Sequence, residues 1–363
     1  MKNTFGNSVT VTLFGESHGE AIGAVLDGLA PGIDVDTEFI KSRLELRKPA
    51  DSLSTSRREQ DEFKIISGVY EGKTTGTPLC ILIENKDIKS CDYDEMRYVA
   101  RPSHSDYAAY MKYHGFNDTR GSGHFSGRIT AALVAAGAIA LSALEKKGIL
   151  IGTHIKSIGG IYDREFCNIE QDIKFLSNEK FAVLQNETAD KMKAKILEVK
   201  ANNDSVGGML ETAVLGLTKG VGEPWFDSLE SNLSHILFSI PGVKGVEFGA
   251  GFELCGMLGS EADDEFLSEN GNISALSNNS GGINGGISNG MPIVFRTAMR
   301  PTPTISKPLK TVNFKTNENV ILKASGRHDP CIVHRARAVV DSVTAIALCD
   351  ALALRFGTDW IVK

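Results

Sequence analysis

The 363-residue sequence lacks the marks of several large protein classes. None of its six cysteines belongs to a C-x-x-C pair, which argues against a zinc site and against a disulfide scaffold. The first residues contain no apolar run of signal-peptide length, and no window approaches the roughly 20 apolar residues of a membrane span. These absences predict a soluble cytoplasmic protein with reduced thiols and no metal centre.

The sequence also has little excess charge. Its 39 lysines and arginines against 45 acidic residues give a formal net charge of −6. Such a chain has no overall attraction for nucleic acid or for an anionic membrane, so clustered arginines would have to hold any anionic ligand. We therefore expect a small anionic substrate and neither nucleic acid nor a membrane as partner.

Nucleotide-binding signatures are missing as well. The sequence contains no P-loop and no strand, G-x-G-x-x-G, helix unit, which argues against ATP and Rossmann-type NAD binding. A doubly wound parallel sheet, the alternative fold, requires a regular alternation of strands and helices that the sequence does not show.

Short β-branched runs separated by glycine turns are abundant and predict strand hairpins. They include SVTVTLF, AIGAVLDG and FKIISGVYEGKTTGTPLCILIEN, then ILIGTHIKSIGGIYD, SVGGMLETAVLGL and GVKGVEFGAGFEL. Asp36 is the predicted N-cap of a helix over TEFIKSRLELRK, and NETADKMKAKILEVKANND predicts an amphipathic helix. The Gly-, Ser- and Asn-rich segment 259–290 is predicted to be one long loop, mobile unless a ligand orders it.

Two Ala-rich helices are predicted, one over 129–148 and one from Val333 to about Phe356. Both contain the tetrapeptide AIAL ten residues after an arginine, Arg128 or Arg335. The order hairpins, loop, buried helix occurs twice, which indicates internal pseudo-duplication. We predict a single α+β domain over 1–363, with halves of about 1–150 and 151–363, in which antiparallel sheets enclose a central helical layer.

The stretch GESHG at 15–19 matches the G-x-S-x-G pattern of a hydrolase nucleophile elbow. An elbow requires a helix after the serine, whereas EAIGAVLDG predicts a second strand and places Ser17 at a hairpin tip. No HGGG-type loop is present, and no later Asp and His are well placed as partners. A serine hydrolase built on Ser17 is one alternative, and a turn without function is another.

Two further loops, RPSHSDY and GRHDPC, each combine an arginine, a histidine and an aspartate. An adjacent arginine lowers the pKa of a loop histidine and leaves a neutral imidazole suited to proton transfer. Together with GESHG, these loops favour a shared site over three solvated surface loops. GGINGGISNG and RPTPTISKP add backbone N–H groups and hydroxyls that suit a phosphate or a planar cofactor ring.

Taken in order, FGESHG, RPSHSDY, RGSGHFSGR, GGINGGISNGMPI, RPTPTIS and GRHDPC resemble the chorismate synthase family from the N-terminus to the last helix. The resemblance implies a lyase that converts 5-enolpyruvylshikimate 3-phosphate to chorismate and phosphate, the last common step of the shikimate pathway to aromatic amino acids. It implies a 1,4-anti elimination with reduced FMN, a β-α-β sandwich and a homotetramer. A flavin-binding protein without catalysis is a further alternative.

The resemblance also implies a role for individual residues. His18 would assist the departing phosphate as a general acid with Ser17 orienting nearby groups, and His104 would protonate the flavin. Asp329 would remove the substrate proton together with the flavin. The implied flavin contacts are His124, Phe125, Ser126, Pro241, Gly242, Gly285, Arg300, Pro301, Thr302, Pro303, Thr304 and Arg327. The implied contacts to the phosphate and two carboxylates of the substrate are Arg43, Arg47, Arg101, Arg128 and Arg335.

Two positions depart from the family pattern. His124 stands where much of the family has the first arginine of R-S-S-A-R, and Ser52 replaces an arginine of R-P-G-T-S-R. NADPH would reach the protein at Arg47 if it served as the reductant. The sequence leaves open whether the protein reduces its own flavin or depends on an external reductant.

Overall fold

The structure, a computed structural model, describes residues 2–49, 53–54, 60–86, 97–323 and 328–363. The first half of the chain forms a five-stranded sheet and a long helix. Its strands are β1 (Thr4–Phe5), β2 (Thr10–Gly15), β3 (Ala21–Asp27), β4 (Phe63–Ser67), β5 (Val69–Tyr70), β6 (Lys73–Thr74) and β7 (Leu79–Glu84). Its helices are α1 (Thr37–Arg47), α2 (Asp106–Lys112) and α3 (Thr130–Lys146). The main sheet has the antiparallel order β1-β2-β3-β7-β4.

The second half forms another five-stranded sheet and the longest helix. Its strands are β8 (Leu150–Ile158), β9 (Ile161–Tyr162), β10 (Gly208–Leu215), β11 (Val243–Phe248), β12 (Phe266–Glu269), β13 (Asn272–Ala275), β14 (Ile283–Asn284), β15 (Ile287–Ser288), β16 (Ile293–Met299), β17 (Leu309–Asn313) and β18 (Glu318–Leu322). Its helices are α4 (Ile169–Leu176), α5 (Asn186–Ala201), α6 (Leu229–Leu237), α7 (Gly259–Ala262) and α8 (Val333–Phe356). The main sheet has the antiparallel order β11-β16-β10-β8-β9.

Apart from insertions, the two halves have the same topology. The first follows the order β2, β3, α1, β4, β7, α3, and the second follows the order β8, β10, α6, β11, β16, α8. In each sheet the last of these four strands lies between the second and the third, giving β2-β3-β7-β4 and β8-β10-β16-β11. A repeated order with repeated pairing is what the pseudo-duplication predicts.

The helices α3 and α8 form a central layer between the two sheets. Helix α3 packs on β3 and β7, α8 packs on β8 and β10, and the two helices pack on each other. Of the 17 residues of α3, all from Thr130 to Leu141 are buried, so every face of the helix contacts other elements. The predicted α+β sandwich of antiparallel sheets around a central helical layer is confirmed.

The expectation that no stretch of the chain approaches the length and apolar composition of a membrane span was wrong for α3. The stretch Gly127–Lys146 is long and apolar enough to cross a membrane by length and composition, and 83% of an 18-residue window within it is buried inside the protein. Because both sheets and α8 already cover this apolar surface, the composition is explained by a core helix.

The N-cap signal of helix α1 was accurate, whereas the predictions of a hairpin after β11 and of one long loop over 259–290 were wrong. Helix α1 begins after Asp36, whose carboxylate accepts hydrogen bonds from the backbone N–H groups of Glu38 and Phe39 at 2.9 and 3.0 Å. The stretch predicted as a hairpin after β11 instead forms a 3-10 helix, Gly251–Gly256, because β11 pairs with the distant β16.

The segment 259–290 is not one long loop. It contains α7 and the hairpins β12–β13 and β14–β15. Asp264 holds its middle part, since the carboxylate accepts hydrogen bonds from Ser277 Oγ at 2.6 Å, Asn279 N at 2.7 Å and Ser280 N at 2.8 Å. The same polar residues that suggested a loop therefore provide the internal hydrogen bonds of short structured elements.

The two central helices approach each other closely at Gly137. A Cβ atom there would lie 2.4 Å from Ser342 Cβ and 2.7 Å from Ser342 Cα, so backbone would have to move. We expect Gly137→Ala to lower the free energy of unfolding by about 1–3 kcal/mol, measured by urea unfolding. Gly259→Ala is the control, because nothing lies within 4 Å of its Cβ position. Equal urea midpoints for the wild type and Gly137→Ala would contradict this prediction.

His154 in β8 is buried between two carboxylates. Its Nδ1 lies 3.2 Å from Asp163 Oδ2 and its Nε2 lies 2.9 Å from Glu211 Oε2. The rings of Phe166 and His154 pack edge to face, and Arg296 on the neighbouring strand lies opposite Glu211. Burial opposes the charge on the imidazole, but the two carboxylates outweigh burial and raise the pKa of His154.

This arrangement predicts a pH-dependent stability. Because the pKa of His154 is raised in the folded state, its charged imidazole stabilises the fold. This contribution is fully present below the unfolded-state pKa of about 6.5, and it is lost as pH rises through the folded-state pKa. We expect the wild-type urea midpoint to fall as pH rises above about 6.5, and His154→Asn to remove part of this decrease. The exposed His114 provides the matched control His114→Asn, which should keep the wild-type pH dependence. Parallel profiles for wild type and His154→Asn would refute the charged imidazole.

Candidate active site

A cavity of about 950 Å³ lies between the two halves of the fold. The first half contributes the end of α1 and the segment between β7 and α3, and the second contributes the end of α6 and the segment between β16 and α8. These segments occupy equivalent places in the repeated topology. The volume is at the upper end of the range for small-molecule sites, so the space suits two ligands side by side.

The cavity brings together most of the residues that the sequence predicted. Its lining includes Arg47, His104, His124, Phe125, Ser126, Arg128, Pro241, Gly242, Arg300, Pro301, Thr302, Pro303, Thr304, Asp329 and Arg335. Five predicted residues are not part of this lining, namely Ser17, His18, Arg43, Arg101 and Gly285. Arg327 and Ser52 lie outside the residues that the structure describes.

Arg43 and Gly285 lie apart from the predicted site for different reasons. Arg43 is buried, and its guanidinium forms an ion pair with Asp341 of α8, which joins α1 to the central layer. Gly285 forms the tight turn between β14 and β15. Neither position supports the contact expected from the sequence within this single chain.

Ser17 and His18 lie in the hairpin tip between β2 and β3, as predicted. A strand follows Ser17 where a nucleophile elbow requires a helix, so the geometry does not support the hydrolase alternative at this serine. Both side chains are buried under the segment 120–125. The Ser17 N–H donates to Gly123 O at 3.1 Å, and a Cβ at Gly121 would lie 2.1 Å from His18 Nδ1.

His104 is held in a polar network on the cavity wall. Its Nδ1 lies 3.0 Å from Asp106 Oδ1, and its Nε2 lies 3.3 Å from Ser122 Oγ. Arg101 donates to both Asp106 oxygens, at 2.8 and 2.6 Å. Burial alone would raise the pKa of Asp106, but the hydrogen bonds from Arg101 and His104 hold it well below its usual range. Arg101 thus supports His104 from behind the cavity wall.

Asp61 connects two of the predicted substrate arginines. Its carboxylate accepts a hydrogen bond from Arg47 Nη1 at 3.2 Å and forms a second ion pair with Arg128. Arg47 also donates to Thr130 Oγ1 and Gly127 O, both at 2.9 Å. The three charged side chains are almost fully buried, so this cluster fixes the wall of the cavity at the start of α3.

Asp329 and Arg335 form an ion pair at the cavity surface. Arg335 Nη1 donates to Asp329 Oδ2 at 2.5 Å, and Arg335 Nε donates to Arg47 O at 3.0 Å. The last contact links the start of α8 to the end of α1, one segment from each half. The pair therefore presents a carboxylate at a defined place on the cavity wall.

The run Arg300–Thr304 and the turn at Pro241–Gly242 form one wall. Gly242 has a φ of +99°, and its carbonyl accepts the Arg300 N–H at 2.9 Å. Thr302 Oγ1 is buried without a hydrogen-bond partner among the described residues, so it is available to a ligand. Apolar side chains lie beside this wall: Ile240, Val243, Met299, Ile332 and Val339. This mixture of polar backbone and apolar surface suits a planar ring.

Sequence reasoning missed several cationic or potentially cationic side chains of the cavity. They are Lys2, Lys48, His235 and Lys244. Lys244 follows the predicted turn at Pro241–Gly242 closely, which was the one signal available in the sequence. Lys244 and Arg300 make no ion pair with another described residue, so both can attract an anionic ligand.

Comparisons with known proteins agree with this arrangement. The sequence model described as chorismate synthase matches residues 9–353. The chain is 46% identical over 356 residues to a chorismate synthase of Parabacteroides distasonis, covering 97% of this chain and 98% of that protein. It is 43% identical over 358 residues to one of Thermococcus gammatolerans, covering 99% of each. A crystal structure of chorismate synthase superimposes with a TM-score of 0.77 at 30% identity, covering 98% of this chain and 95% of that one.

Proposed function

Because the chain belongs to the chorismate synthase family, lyases of the last common step of the shikimate pathway to aromatic amino acids, we propose that it eliminates phosphate with the help of reduced FMN. The substrate would be 5-enolpyruvylshikimate 3-phosphate and the reaction a 1,4-anti elimination. The main support is the single cavity that brings His104, Asp329 and Arg335 together with the wall at 300–304.

The residues present fit a flavin. The apolar side chains beside Met299 offer a surface for a planar ring, and Thr302 Oγ1 is a buried hydroxyl that lacks a protein partner. Arg300 and Lys244 provide positive charge for a phosphate. When bound, reduced FMN supplies reversible electron transfer to the substrate and is not consumed overall.

The protein's own groups would manage the protons and the charge. Asp329, held by Arg335, would accept the ring proton of the substrate, and His104 would hold a proton at the cavity wall. Both groups lie in a site with clustered cations, which compensate a substrate with one phosphate and two carboxylates. His18 as the general acid toward the phosphate would require the segment at Gly121 to move off its imidazole.

The proposal also covers the oligomeric state, the cellular location and the reductant. We propose a homotetramer, supported by exposed apolar side chains in the stretch 252–276, namely Phe252, Leu258, Phe266, Ile273 and Leu276. A cytoplasmic location is part of the same proposal. A contact between NADPH and Arg47 would require the guanidinium to exchange Asp61 and Thr130 for a phosphate.

The decisive experiment is an anaerobic assay with dithionite-reduced FMN and 5-enolpyruvylshikimate 3-phosphate. We expect stoichiometric release of phosphate and formation of chorismate. Absorbance measures the chorismate, and a phosphate assay measures the phosphate. Folded protein that binds FMN but releases no phosphate would favour the alternative of a flavin-binding protein without catalysis. Analytical ultracentrifugation tests the tetramer separately.

A further inference from the structure

Asn85 holds the tip of the hairpin that carries His18. It directly follows β7, and its side-chain amide donates to Glu16 O and to Gly19 O, both at 2.9 Å. Glu16 O also accepts the Gly19 N–H at 3.1 Å, so these two residues are the first and the last of a tight turn. Ser17 and His18 are the two central residues of that turn, and both are buried. The amide therefore fixes the backbone on either side of them.

The same amide orients an arginine of the cavity. Asn85 Oδ1 accepts a hydrogen bond from Arg128 Nε at 3.1 Å. Asp61 pairs with Nη1 of the same guanidinium, so the two contacts fix its plane. Arg128 lines the cavity. One half-buried amide thus uses both of its N–H donors and its carbonyl oxygen to join the hairpin tip to a cation of the cavity.

This support does not depend on the segment 120–125, which covers His18. That segment contacts the tip through Gly123 O, which accepts the Ser17 N–H at 3.1 Å. Asn85 reaches the tip from the end of β7 instead. An acid role for His18 requires the segment to move off the imidazole, and the hydrogen bonds from Asn85 can keep the turn in shape during that movement.

We propose that Asn85 is a positioning residue, which sets the imidazole of His18 relative to the guanidinium of Arg128. This role rests on the proposed function, in which His18 donates a proton to the departing phosphate and Arg128 attracts the anionic substrate. A general acid contributes only when it lies within hydrogen-bond reach of the oxygen that it protonates. Because one planar amide joins the acid to the cation, the phosphate is bound and protonated at the same place.

The chain offers a matched pair of variants for the test. Asn85→Ala removes all three hydrogen bonds without adding a charge, and water can reach the freed groups because Asn85 is half-buried. Asn232→Ala is the control. Its amide also donates to a backbone carbonyl, Asp227 O at 3.1 Å, and it does not line the cavity, so it should match wild type in every readout. If Asn85→Ala does not fold, Asn85→Asp replaces it, because aspartate keeps the acceptor toward Arg128 and loses both donors toward the tip.

The first readout needs neither flavin nor turnover. Diethyl pyrocarbonate modifies neutral imidazoles, and mass spectrometry of the peptides gives separate rates for His18 and His104. We expect Asn85→Ala to raise the His18 rate about 2- to 10-fold, the equivalent of one net hydrogen bond lost from the turn. His104 is the internal reference, because its partners Asp106 and Ser122 do not belong to the tip. An unchanged His18 rate, or an equal rise at His104, would overturn the proposal.

The second readout is steady-state turnover with reduced FMN. We expect Asn85→Ala to lower kcat about 5- to 50-fold, less than the loss of the acid itself, because the imidazole still visits its productive position. KM for the substrate should rise about 2- to 5-fold, because Arg128 loses one of the two partners that orient it. Wild-type kcat in folded Asn85→Ala would contradict the positioning role.

A double-mutant cycle with His18→Asn separates positioning from a general structural effect. If Asn85 acts through His18, Asn85→Ala should change kcat by less than about twofold in the His18→Asn background, while its effect on KM through Arg128 persists. An equal loss of kcat in both backgrounds would show that Asn85 only supports the fold and would overturn the proposal. Absence of turnover in the wild type would instead overturn the proposed function, and the positioning role with it.

Discussion

Substitution of His104 by asparagine is expected to lower kcat by about 10²- to 10⁴-fold, the usual contribution of a positioned acid or base. Asparagine keeps a polar group beside Arg101 and Asp106 but cannot hold an exchangeable proton at the place of Nε2. The ion pair of Arg101 and Asp106 should preserve the loop, so the thermal midpoint and the affinity for FMN should stay near wild type. Anaerobic phosphate release measures the loss.

The matched control for this substitution is His114→Asn. His114 is exposed, does not line the cavity and has a φ of +55°, which asparagine tolerates well. The control should turn over at the wild-type rate. If His104→Asn retained more than a tenth of wild-type kcat, His104 would have no role in proton transfer.

Substitution of Asp61 by asparagine is expected to destabilise the fold by about 3–5 kcal/mol, because it leaves two buried arginines without their counter-charge. Arg47 and Arg128 both contact this carboxylate, and the three side chains are at most 9% exposed. Urea unfolding should show the loss. The cavity wall at the start of α3 should also loosen, so FMN should bind more weakly to the folded fraction.

Asp34→Asn is the control for Asp61→Asn. Asp34 also lies between two cations, Lys73 and Lys146, and their hydrogen bonds and charges lower its pKa to about 2. Since Asp34 is exposed and screened by solvent, its substitution should leave the urea midpoint close to wild type. A similar, small shift for both variants would show that the Asp61 cluster does not hold the wall.

Local signals predicted much of the fold. The cap at Asp36, the strands around Ser17 and the helix from Val333 to Phe356 depend on near neighbours in the chain, and the structure has them as predicted. The short helices α4 and α6 were missed, because their brief amphipathic patterns were not separated from the surrounding turns and strands. The error at 259–290 arose because Asp264 bonds across a turn that composition does not reveal.

Part of the candidate site could also be predicted from local signals in the sequence. His104 and Asp329 stand in short ordered motifs that resemble a family, so their residue types and order were visible. The burial of Arg43 against Asp341 was not, because these residues are far apart in the chain and meet only when α1 packs on α8. Lys2 and His235 reach the cavity from elements with no motif of their own.

The sequence by itself determined the repeated order of strands and helices, the buried Ala-rich helices and the family, because these depend on composition, periodicity and motifs read in order. Only the tertiary structure decided which charged groups face the cavity and which neutralise one another. Asp61 binds Arg47 and Arg128, Arg335 holds Asp329, and Ser122 reaches His104. Each of these pairings joins residues of one half, and it follows from how the elements of that half pack, which a single sequence does not specify.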